Sequence, residues 1–226
     1  MKWLYERAHT HRDRLFLNKY SYGDVFTLTI ATAKRLAPHL RGESRIALWA
    51  ENSVSMAIHL FALSALGIET LLLNTNLTNR EITEQMESTG VRTLLMSEKM
   101  THILRAQKVA DDIEITDVST YEYSHNQVDR QYLCFSTCID TDFKAISPMH
   151  NDENLDWNPS DEKVFCIINT SATTGKFKSV PVRWLQIEAH VKASANVLGV
   201  EEHDNWLVVL PMFHVSGLSI ILRTLY

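Results

Sequence analysis

Residues 169–183, NTSATTGKFKSVPVR, combine hydroxyl side chains, one glycine and two lysines in a short loop between two strand-like segments. Hydroxyl groups and backbone amides in such a loop can donate hydrogen bonds to phosphate oxygens, and a lysine supplies a positive point charge. The same residue types are common in ordinary polar turns. Composition alone therefore leaves two interpretations open, a phosphate-binding loop and a polar surface hairpin.

A Walker-type phosphate loop is excluded by the order of the residues. That motif needs a glycine, four further residues and then Gly-Lys-Ser/Thr at the start of a helix, whose N-terminal amides cradle the phosphate. Here Phe177 follows Gly175 and Lys176, and Thr170 stands where the first glycine is required. The residues after the loop, SVPVR, alternate in polarity and contain a proline, which predicts a strand and not a helix.

The segments before the loop alternate between helix and strand patterns. Predicted strands are RIALW (45–49), ETLLLN (69–74), TLLM (93–96) and KVFCIIN (163–169). Helix starts are predicted at Ser21, at Asn52 or Ser53, and at Thr78, where Glu81 completes a capping box. Short apolar strands separated by helices indicate an α/β fold, with parallel sheets flanked by helices.

Residues 119–160 differ from their surroundings because they are polar and weakly periodic, and we interpret them as a variable excursion with one strand at YLCFSTCI (132–139). Beyond the loop, RWLQIEAHVKASANVLG (183–199) predicts a helix and NWLVVLP (205–211) a buried strand. The whole of 1–226 is interpreted as one unit. Its portions are a first α/β part (1–118), the excursion (119–160) and the loop-bearing part (161–226).

The composition excludes several classes of protein. A formal net charge of -5 and the lack of a lysine or arginine run argue against a nucleic-acid groove or a basic membrane patch. Polar residues interrupt the longest apolar stretch, Ala57 to Leu73, so no membrane span is predicted. The three cysteines, Cys134, Cys138 and Cys166, form no Cys-x-x-Cys pair, which favours reduced thiols in a cytosolic protein.

Two pairs of potential metal ligands occur in the sequence. His9 and His11 have the spacing to share one face of a strand, and Cys134 and Cys138 the spacing to share one turn of a helix. Neither pair has the further histidines or cysteines that a zinc site needs. The sequence therefore predicts no metal site made by protein ligands alone.

The residue order from Thr170 to Lys178 resembles the phosphate loop of the adenylate-forming enzymes, which include acyl-CoA synthetases, luciferases and the adenylation domains of peptide synthetases. Their pattern is roughly Thr/Ser-Ser-Gly-Thr-Thr-Gly-x-Pro-Lys-Gly, from which this chain departs at Ala172, Phe177 and Ser179. The resemblance implies that the loop binds the β- and γ-phosphates of ATP together with Mg²⁺. The implied binding residues are Thr170, Ser171, Thr173, Thr174, Gly175 and Lys178.

A second segment, LPMFHVSGLS at 210–219, resembles the Pro-x-x-His-x-x-Gly segment of the same family. His214 and Gly217 match that pattern, and the resemblance implies that His214 lines the acyl pocket close to the reacting carboxylate. One branch of the family, the o-succinylbenzoate–CoA ligases of menaquinone biosynthesis, is most similar to this region, in the segment DNWLVVLPMF and in HVSGLSIILR that follows it.

The resemblance implies a two-step ligase reaction. The carboxylate of 2-succinylbenzoate attacks the α-phosphorus of ATP to give an acyl-adenylate and pyrophosphate, and the thiol of CoA then displaces AMP to form a thioester. Two alternatives stay open, another acyl-CoA synthetase and a non-catalytic remnant that keeps part of the acyl pocket.

The later motifs of the family have no counterpart in these 226 residues. They are a Tyr-Gly-x-Thr-Glu segment with a metal-binding carboxylate, an aspartate for the ribose, and a small C-terminal lid domain with a catalytic lysine. The apolar pattern of the last helix, Leu218, Ile221, Leu222 and Leu225, also lacks a stop signal. We therefore expect the N-terminal part of a longer enzyme, inactive as a ligase by itself.

Overall fold

The computed structural model describes residues 1–106, 115–117, 130–135, 154–170, 177–201 and 203–226. In these residues the helices are α1 (Lys2–Thr10), α2 (Tyr22–Leu36), α3 (Val54–Ala65), α4 (Asn79–Thr89), α5 (Glu98–Ala106), α6 (Trp184–Leu198) and α7 (Val215–Leu225). The strands are β1 (Leu15–Leu17), β2 (Tyr20–Ser21), β3 (Arg45–Trp49), β4 (Glu69–Leu72), β5 (Thr93–Ser97), β6 (Ile115–Asp117), β7 (Gln131–Phe135), β8 (Val164–Thr170) and β9 (Lys178–Arg183).

One large sheet organises the part of the chain that the structure describes. Its strands lie in the order β6-β7-β5-β3-β4-β8-β9. The pairs are parallel up to β8, and β9 returns antiparallel to β8. The short strands β1 and β2 form a separate antiparallel pair. The α/β fold predicted from the sequence, with parallel strands flanked by helices, is thereby confirmed.

Local hydrogen bonds fix the predicted helix starts. The backbone N–H of Asp24 donates to Ser21 Oγ at 3.1 Å, and the Asp24 carboxylate accepts from the Ser21 N–H at 2.9 Å, which forms a capping box at α2. Of the two candidates at α3, Ser53 is the cap, since its Oγ accepts from the Met56 N–H at 3.0 Å. Asn52 is therefore free of a capping role and makes other contacts, described below.

The second predicted capping box also forms. The carboxylate of Glu81 accepts from the Thr78 N–H at 2.8 Å, while Thr78 Oγ1 accepts from the Glu81 N–H at 3.4 Å. At the other end of α4, Gly90 has a φ of +69°, a left-handed conformation that costs glycine little. Both ends of α4 are thus defined by local residues, a capping box at the start and a left-handed glycine at the end.

The core lies on both faces of the sheet, as alternation along the strands requires. Ile46 and Leu48 of β3 belong to one apolar cluster with residues of α1, α2, α3, α6 and α7. Ala47 and Trp49, which point the other way, belong to a second cluster with residues of α4 and α5. Each face of the sheet is therefore covered by helices, which explains why the strands read as continuous apolar runs.

The predicted buried strand at 205–211 is wrong. This segment is not a strand, it joins no ladder among the described residues, and Leu207 and Val209 are 78% and 70% exposed. An apolar run favours a strand only where a neighbouring strand can pair with it. Here the Leu210 carbonyl accepts a hydrogen bond from Asn52 Nδ2, and the Pro211 carbonyl accepts one from the His214 N–H. The backbone therefore turns into α7.

The excursion predicted at 119–160 contains a strand of the main sheet. The strand expected at YLCFSTCI lies at Gln131–Phe135, between β6 and β5 and parallel to both, with Leu133 and Phe135 buried. The strand β6 was missed by the sequence analysis because three residues are too short to show a pattern. Residues 118–129 and 136–153 lie outside the described part of the chain. In that part no helix has the length and apolar character to cross a membrane.

Candidate functional site

The predicted phosphate loop connects the two strands of a β-hairpin. Thr170 is the last residue of β8, Lys178 is the first residue of β9, and the two are paired across the ladder. Both are exposed, and Thr170 Oγ1 lies 3.4 Å from the Lys178 carbonyl, to which it donates. The structure thus brings these two predicted site residues together at the mouth of the loop. The other predicted residues, Ser171, Thr173, Thr174 and Gly175, lie outside the described residues, as does Ala172.

The position of the hairpin in the sheet is suited to ligand binding. β8 runs parallel to β4, so Thr170 lies at the same edge of the sheet as the carboxyl ends of β4 and β3. Ligands of open α/β sheets bind outside this edge. The polar-hairpin interpretation and the phosphate-loop interpretation share this local geometry, because a hairpin loop at the carboxyl edge can be either.

One departure from the family pattern has a structural explanation. Phe177, which stands where the pattern has proline, packs against the apolar cluster on the α4 and α5 face of the sheet. A proline at this position fixes the φ dihedral of the backbone, whereas an aromatic ring anchors the backbone by burying apolar surface. Phe177 therefore attaches the far end of the loop to the core immediately before Lys178.

His214 lies at the start of α7 and exposes its side chain. It is the N-cap residue of the helix, with no capping hydrogen bond from its ring, and its carbonyl accepts from the Leu218 N–H at 3.1 Å. Its ring lies 4.6 Å from the ring of Phe213, centroid to centroid. No hydrogen bond reaches the His214 ring from the described residues, which leaves its two nitrogens available for a ligand.

The glycine three residues later is required by close packing. A Cβ on Gly217 would lie 2.3 Å from the carbonyl oxygen of Pro211 and 2.4 Å from that of Leu210. Real side chains do not approach backbone oxygen so closely, so any other residue would push the first turn of α7 away. The spacing of proline, histidine and glycine in this segment therefore follows from a tight turn that places His214 at the helix start.

The side chain of Asn52 binds the backbone of this turn. Its Nδ2 donates to the Leu210 carbonyl at 2.8 Å, and its Oδ1 accepts from the Met212 N–H at 2.7 Å. Asn52 follows β3 at the carboxyl edge of the sheet. From the sequence, Asn52 is predicted only as a helix cap, because no local pattern indicates a partner that lies 158 residues away.

A cleft of about 180 Å³ lies between the hairpin and α7, and its lining includes neither Thr170 and Lys178 nor His214. Its walls come from both strands of the hairpin, from α6 and from the turns of α7 that follow His214. The lining residues are Ile168, Val180, Pro181, Val182, Gln186, Ile187, His190, Val191, Val215, Leu218, Ser219 and Leu222. This lining is mostly apolar with a few polar groups, as is common for small-molecule sites, and the volume suits one aromatic ring.

The cysteines of the described residues are not suited to nucleophilic catalysis. Burial raises the pKa of the Cys166 thiol far above its ordinary value, and burial also raises the pKa of Cys134. A thiol is nucleophilic only as thiolate. The described residues also contain no group of three or more histidine, cysteine or acidic side chains that could hold a metal ion. They do not fit a magnesium site made by the protein alone.

Comparison with known proteins decides the family. The model of the AMP-binding enzyme family matches residues 4–226, which is nearly the whole chain. The chain belongs to the AMP-binding enzyme family. The predicted resemblance to adenylate-forming enzymes is confirmed by this match.

Within the AMP-binding enzymes, the chain is similar to curated 2-succinylbenzoate–CoA ligases. The protein of Lactococcus lactis subsp. lactis (strain IL1403) is 41% identical over 226 residues, which are 100% of this chain and 43% of that protein. The protein of Staphylococcus aureus (strain MRSA252) is 31% identical over 230 residues, covering 98% of this chain and 44% of that protein. The chain thus spans less than half the length of these relatives.

A solved structure supports the fold. The o-succinylbenzoate coenzyme A synthetase of Bacillus subtilis, in complex with ATP and magnesium ion, matches with a TM-score of 0.74 and 23% sequence identity. The match covers 99% of this chain and 54% of that chain. At this level of identity the likeness shows that the two chains share the fold.

Proposed function

We propose that residues 1–226 form the phosphate-binding and acyl-binding part of an ATP-dependent acid–thiol ligase acting on 2-succinylbenzoate and CoA. The observation that carries the proposal is the cleft, which is walled by the hairpin of Thr170 and Lys178 on one side and by the helix of His214 on the other. The 41% identity to a 2-succinylbenzoate–CoA ligase supports the choice of substrate. On this proposal the chain takes part in menaquinone biosynthesis.

In the first step, the substrate carboxylate attacks the α-phosphorus of ATP, and the bond to the β-phosphate oxygen breaks. The products are acyl-adenylate and pyrophosphate. Lys178 neutralises the departing pyrophosphate, and the hydroxyls of Ser171, Thr173 and Thr174 donate to its oxygens. ATP enters as its magnesium complex, and no step is assigned to protein ligands of the metal because the described residues do not fit such a site.

The cleft receives the aromatic part of the substrate. Val180 and Val215 belong to opposite walls of the cleft and exclude water from the ring. His214, whose exposed ring stands at the start of α7, donates a hydrogen bond to the carboxylate that reacts. The reacting group is thereby held next to the phosphate loop.

The second step is thioester formation. The CoA thiol attacks the acyl carbon, the mixed anhydride bond breaks, and AMP leaves with the electron pair. We place this reaction in the cytoplasm, where ATP and CoA are supplied. The buried Cys166, which the structure keeps as a free thiol, agrees with a reducing compartment.

The second candidate function is that of another acyl-CoA synthetase. One feature of the cleft, the lack of a cationic partner for a second carboxylate in its described lining, favours it. Among the residues that the structure describes, the lining contains no lysine or arginine to pair with the second carboxylate of 2-succinylbenzoate. His190 is the lining side chain that can donate to an anion most strongly. The first candidate therefore requires His190 to bind that second carboxylate, and the alternative does not.

A chimera tests the function directly. Residues 1–226 replace the matched segment of the Lactococcus lactis relative, and thioester formation is measured with 2-succinylbenzoate, benzoate and a fatty acid. We expect thioester from 2-succinylbenzoate, with stoichiometric pyrophosphate and AMP. Thioester from the fatty acid alone would support the second candidate, and a folded chimera without any thioester would support a non-catalytic remnant.

Inactivity of residues 1–226 alone is part of the proposal. The match covers 43% of the Lactococcus lactis ligase, so more than half of that protein has no counterpart in this comparison. Aligning a carboxylate, a phosphorus atom and a leaving group can account for roughly 7–11 kcal/mol of the barrier. We expect no pyrophosphate from the isolated chain with ATP and 2-succinylbenzoate, and turnover that a Lys178→Met variant abolishes would contradict this.

A further inference from the structure

Three polar side chains connect α4 to both strands of the hairpin. Gln85 of α4 is 2% exposed, and its Oε1 accepts a hydrogen bond from Asn169 Nδ2 of β8. Asn169 Oδ1 accepts in turn from Ser179 Oγ of β9 at 2.6 Å. These contacts form a continuous chain, the Gln85–Asn169–Ser179 network, from a helix through one strand to the next.

The network lies at the end of the hairpin that carries the loop. Asn169 and Ser179 are paired across the ladder, one residue before Thr170 and one residue after Lys178. A change in the angle or separation of the strands at this pair therefore displaces Thr170 and Lys178 directly. On the other side of the sheet, the cleft is lined by the neighbouring hairpin residues Ile168 and Val180.

The chemistry of the network favours a role in geometry over a role in stability. Placing amide and hydroxyl groups in a partly buried site costs free energy unless each is hydrogen-bonded, and apolar side chains of the same size would pack there at lower cost. Apolar contacts tolerate small sliding movements, whereas a hydrogen bond weakens steeply with distance and angle. A buried amide on α4 thus limits the hairpin to one position.

We propose that Gln85, Asn169 and Ser179 are positioning residues that hold the hairpin ends where the loop can bind polyphosphate. The ligand in this statement rests on the proposed function, whereas the control of the hairpin does not. Ser179 departs from the family pattern, and the network explains why a serine stands there. Its hydroxyl links β9 to Asn169 and, through Asn169, to α4.

The test uses the 226-residue chain with two measurements. The first is amide hydrogen exchange of residues 168–170 and 178–180 without ligand, compared with exchange of β3 and β4. The second is calorimetric titration with the magnesium complexes of tripolyphosphate and of ATP. Gln85→Met and Ser179→Ala break the network, Ser179→Thr keeps the hydroxyl, and Met86→Leu changes the next residue of α4, which is equally buried but apolar.

We expect Gln85→Met and Ser179→Ala to speed exchange at the hairpin ends alone and to weaken both ligands by roughly tenfold, the scale of losing a supporting partner at a binding site. Ser179→Thr and Met86→Leu should leave both measurements close to those of the parent chain. Unchanged exchange at the hairpin ends, or faster exchange spread evenly over β3 and β4, would overturn the positioning role. If the parent chain binds neither polyphosphate, the proposed function fails, and the exchange comparison still decides whether the network fixes the hairpin.

Discussion

Asn52 and Met212 lie 160 residues apart in the sequence and share a hydrogen bond of 2.7 Å, from the Met212 N–H to Asn52 Oδ1. The same side chain donates to the Leu210 carbonyl, so one amide binds the backbone on both sides of Pro211. The turn that presents His214 is therefore attached to the carboxyl edge of the main sheet. The hairpin of β8 and β9 belongs to the same sheet, which gives both predicted motifs a common support.

Replacing Asn52 by leucine should loosen the turn before α7. Two hydrogen bonds of ordinary net strength are lost, which corresponds to about 1–3 kcal/mol of unfolding free energy. Asn52→Asp, which keeps the acceptor for Met212 and loses the donor to Leu210, should fall between the parent chain and Asn52→Leu. Urea unfolding measures the free energy. Equal midpoints for all three proteins would show that the two hydrogen bonds of Asn52 contribute nothing to stability.

A methyl group at Gly217 should destabilise the fold through a clash with backbone. Because the new Cβ would meet the Pro211 and Leu210 oxygens, Gly217→Ala should cost about 1–3 kcal/mol, although alanine has the higher helix propensity. Ser216→Ala is the matched control, since Ser216 is exposed in the same turn and alanine there should be neutral or slightly stabilising. Thermal unfolding that ranks Gly217→Ala at or above the parent chain would refute the packing explanation.

His190 should determine recognition of the second carboxylate. In the chimera, His190→Leu should raise KM for 2-succinylbenzoate by roughly tenfold or more, because a hydrogen bond to a charged group contributes about 1.5–3 kcal/mol. Benzoate lacks the second carboxylate and serves as the internal control, so its KM should change little. An equal change for both acids would remove His190 from the specificity of the site.

Stability should depend on pH through His39. This side chain is 7% exposed, and burial lowers the pKa of His39 below its ordinary value of 6.5. At a pH between the pKa of His39 in the folded chain and its pKa in the unfolded chain, the unfolded chain binds a proton that the folded chain does not. Stability is therefore lost as the pH falls through about 6.5. His39→Gln should lose less stability than the parent chain between about pH 7.5 and about pH 5.5 in urea unfolding. Identical losses would contradict a neutral, buried His39.

Most of the fold followed from local sequence signals. The capping boxes at Ser21 and Thr78 involve residues three positions apart, so the chain encodes them without reference to its tertiary structure. The strand at 45–49 was read correctly because a strand buried on both faces is a continuous apolar run. The segment 205–211 has the same kind of run but was assigned wrongly, because pairing depends on a partner elsewhere in the chain.

The site was less accessible from the sequence. The loop and His214 were identified by their resemblance to a family, and the roles of those residues remain proposals. The supports of the site, Asn52 and Gln85, were missed because their partners lie 158 and 84 residues away. No local sequence pattern around a single asparagine or glutamine predicts such a contact, so only the tertiary structure shows it.

The central claim is that the hairpin loop binds the departing pyrophosphate through Lys178, and the single-turnover rate of pyrophosphate release in the chimera tests it most directly. Lys178→Met should slow release by roughly a hundredfold or more, the scale of losing one preorganised charge-stabilising donor. Lys176→Met is the matched control, because it removes the same charge two residues away at the position that the family pattern leaves open. We predict a change of less than about threefold for this control, because no phosphate contact is assigned to Lys176 and a charge without such a partner contributes little. Unchanged release in Lys178→Met, or equal losses in both variants, would contradict the account.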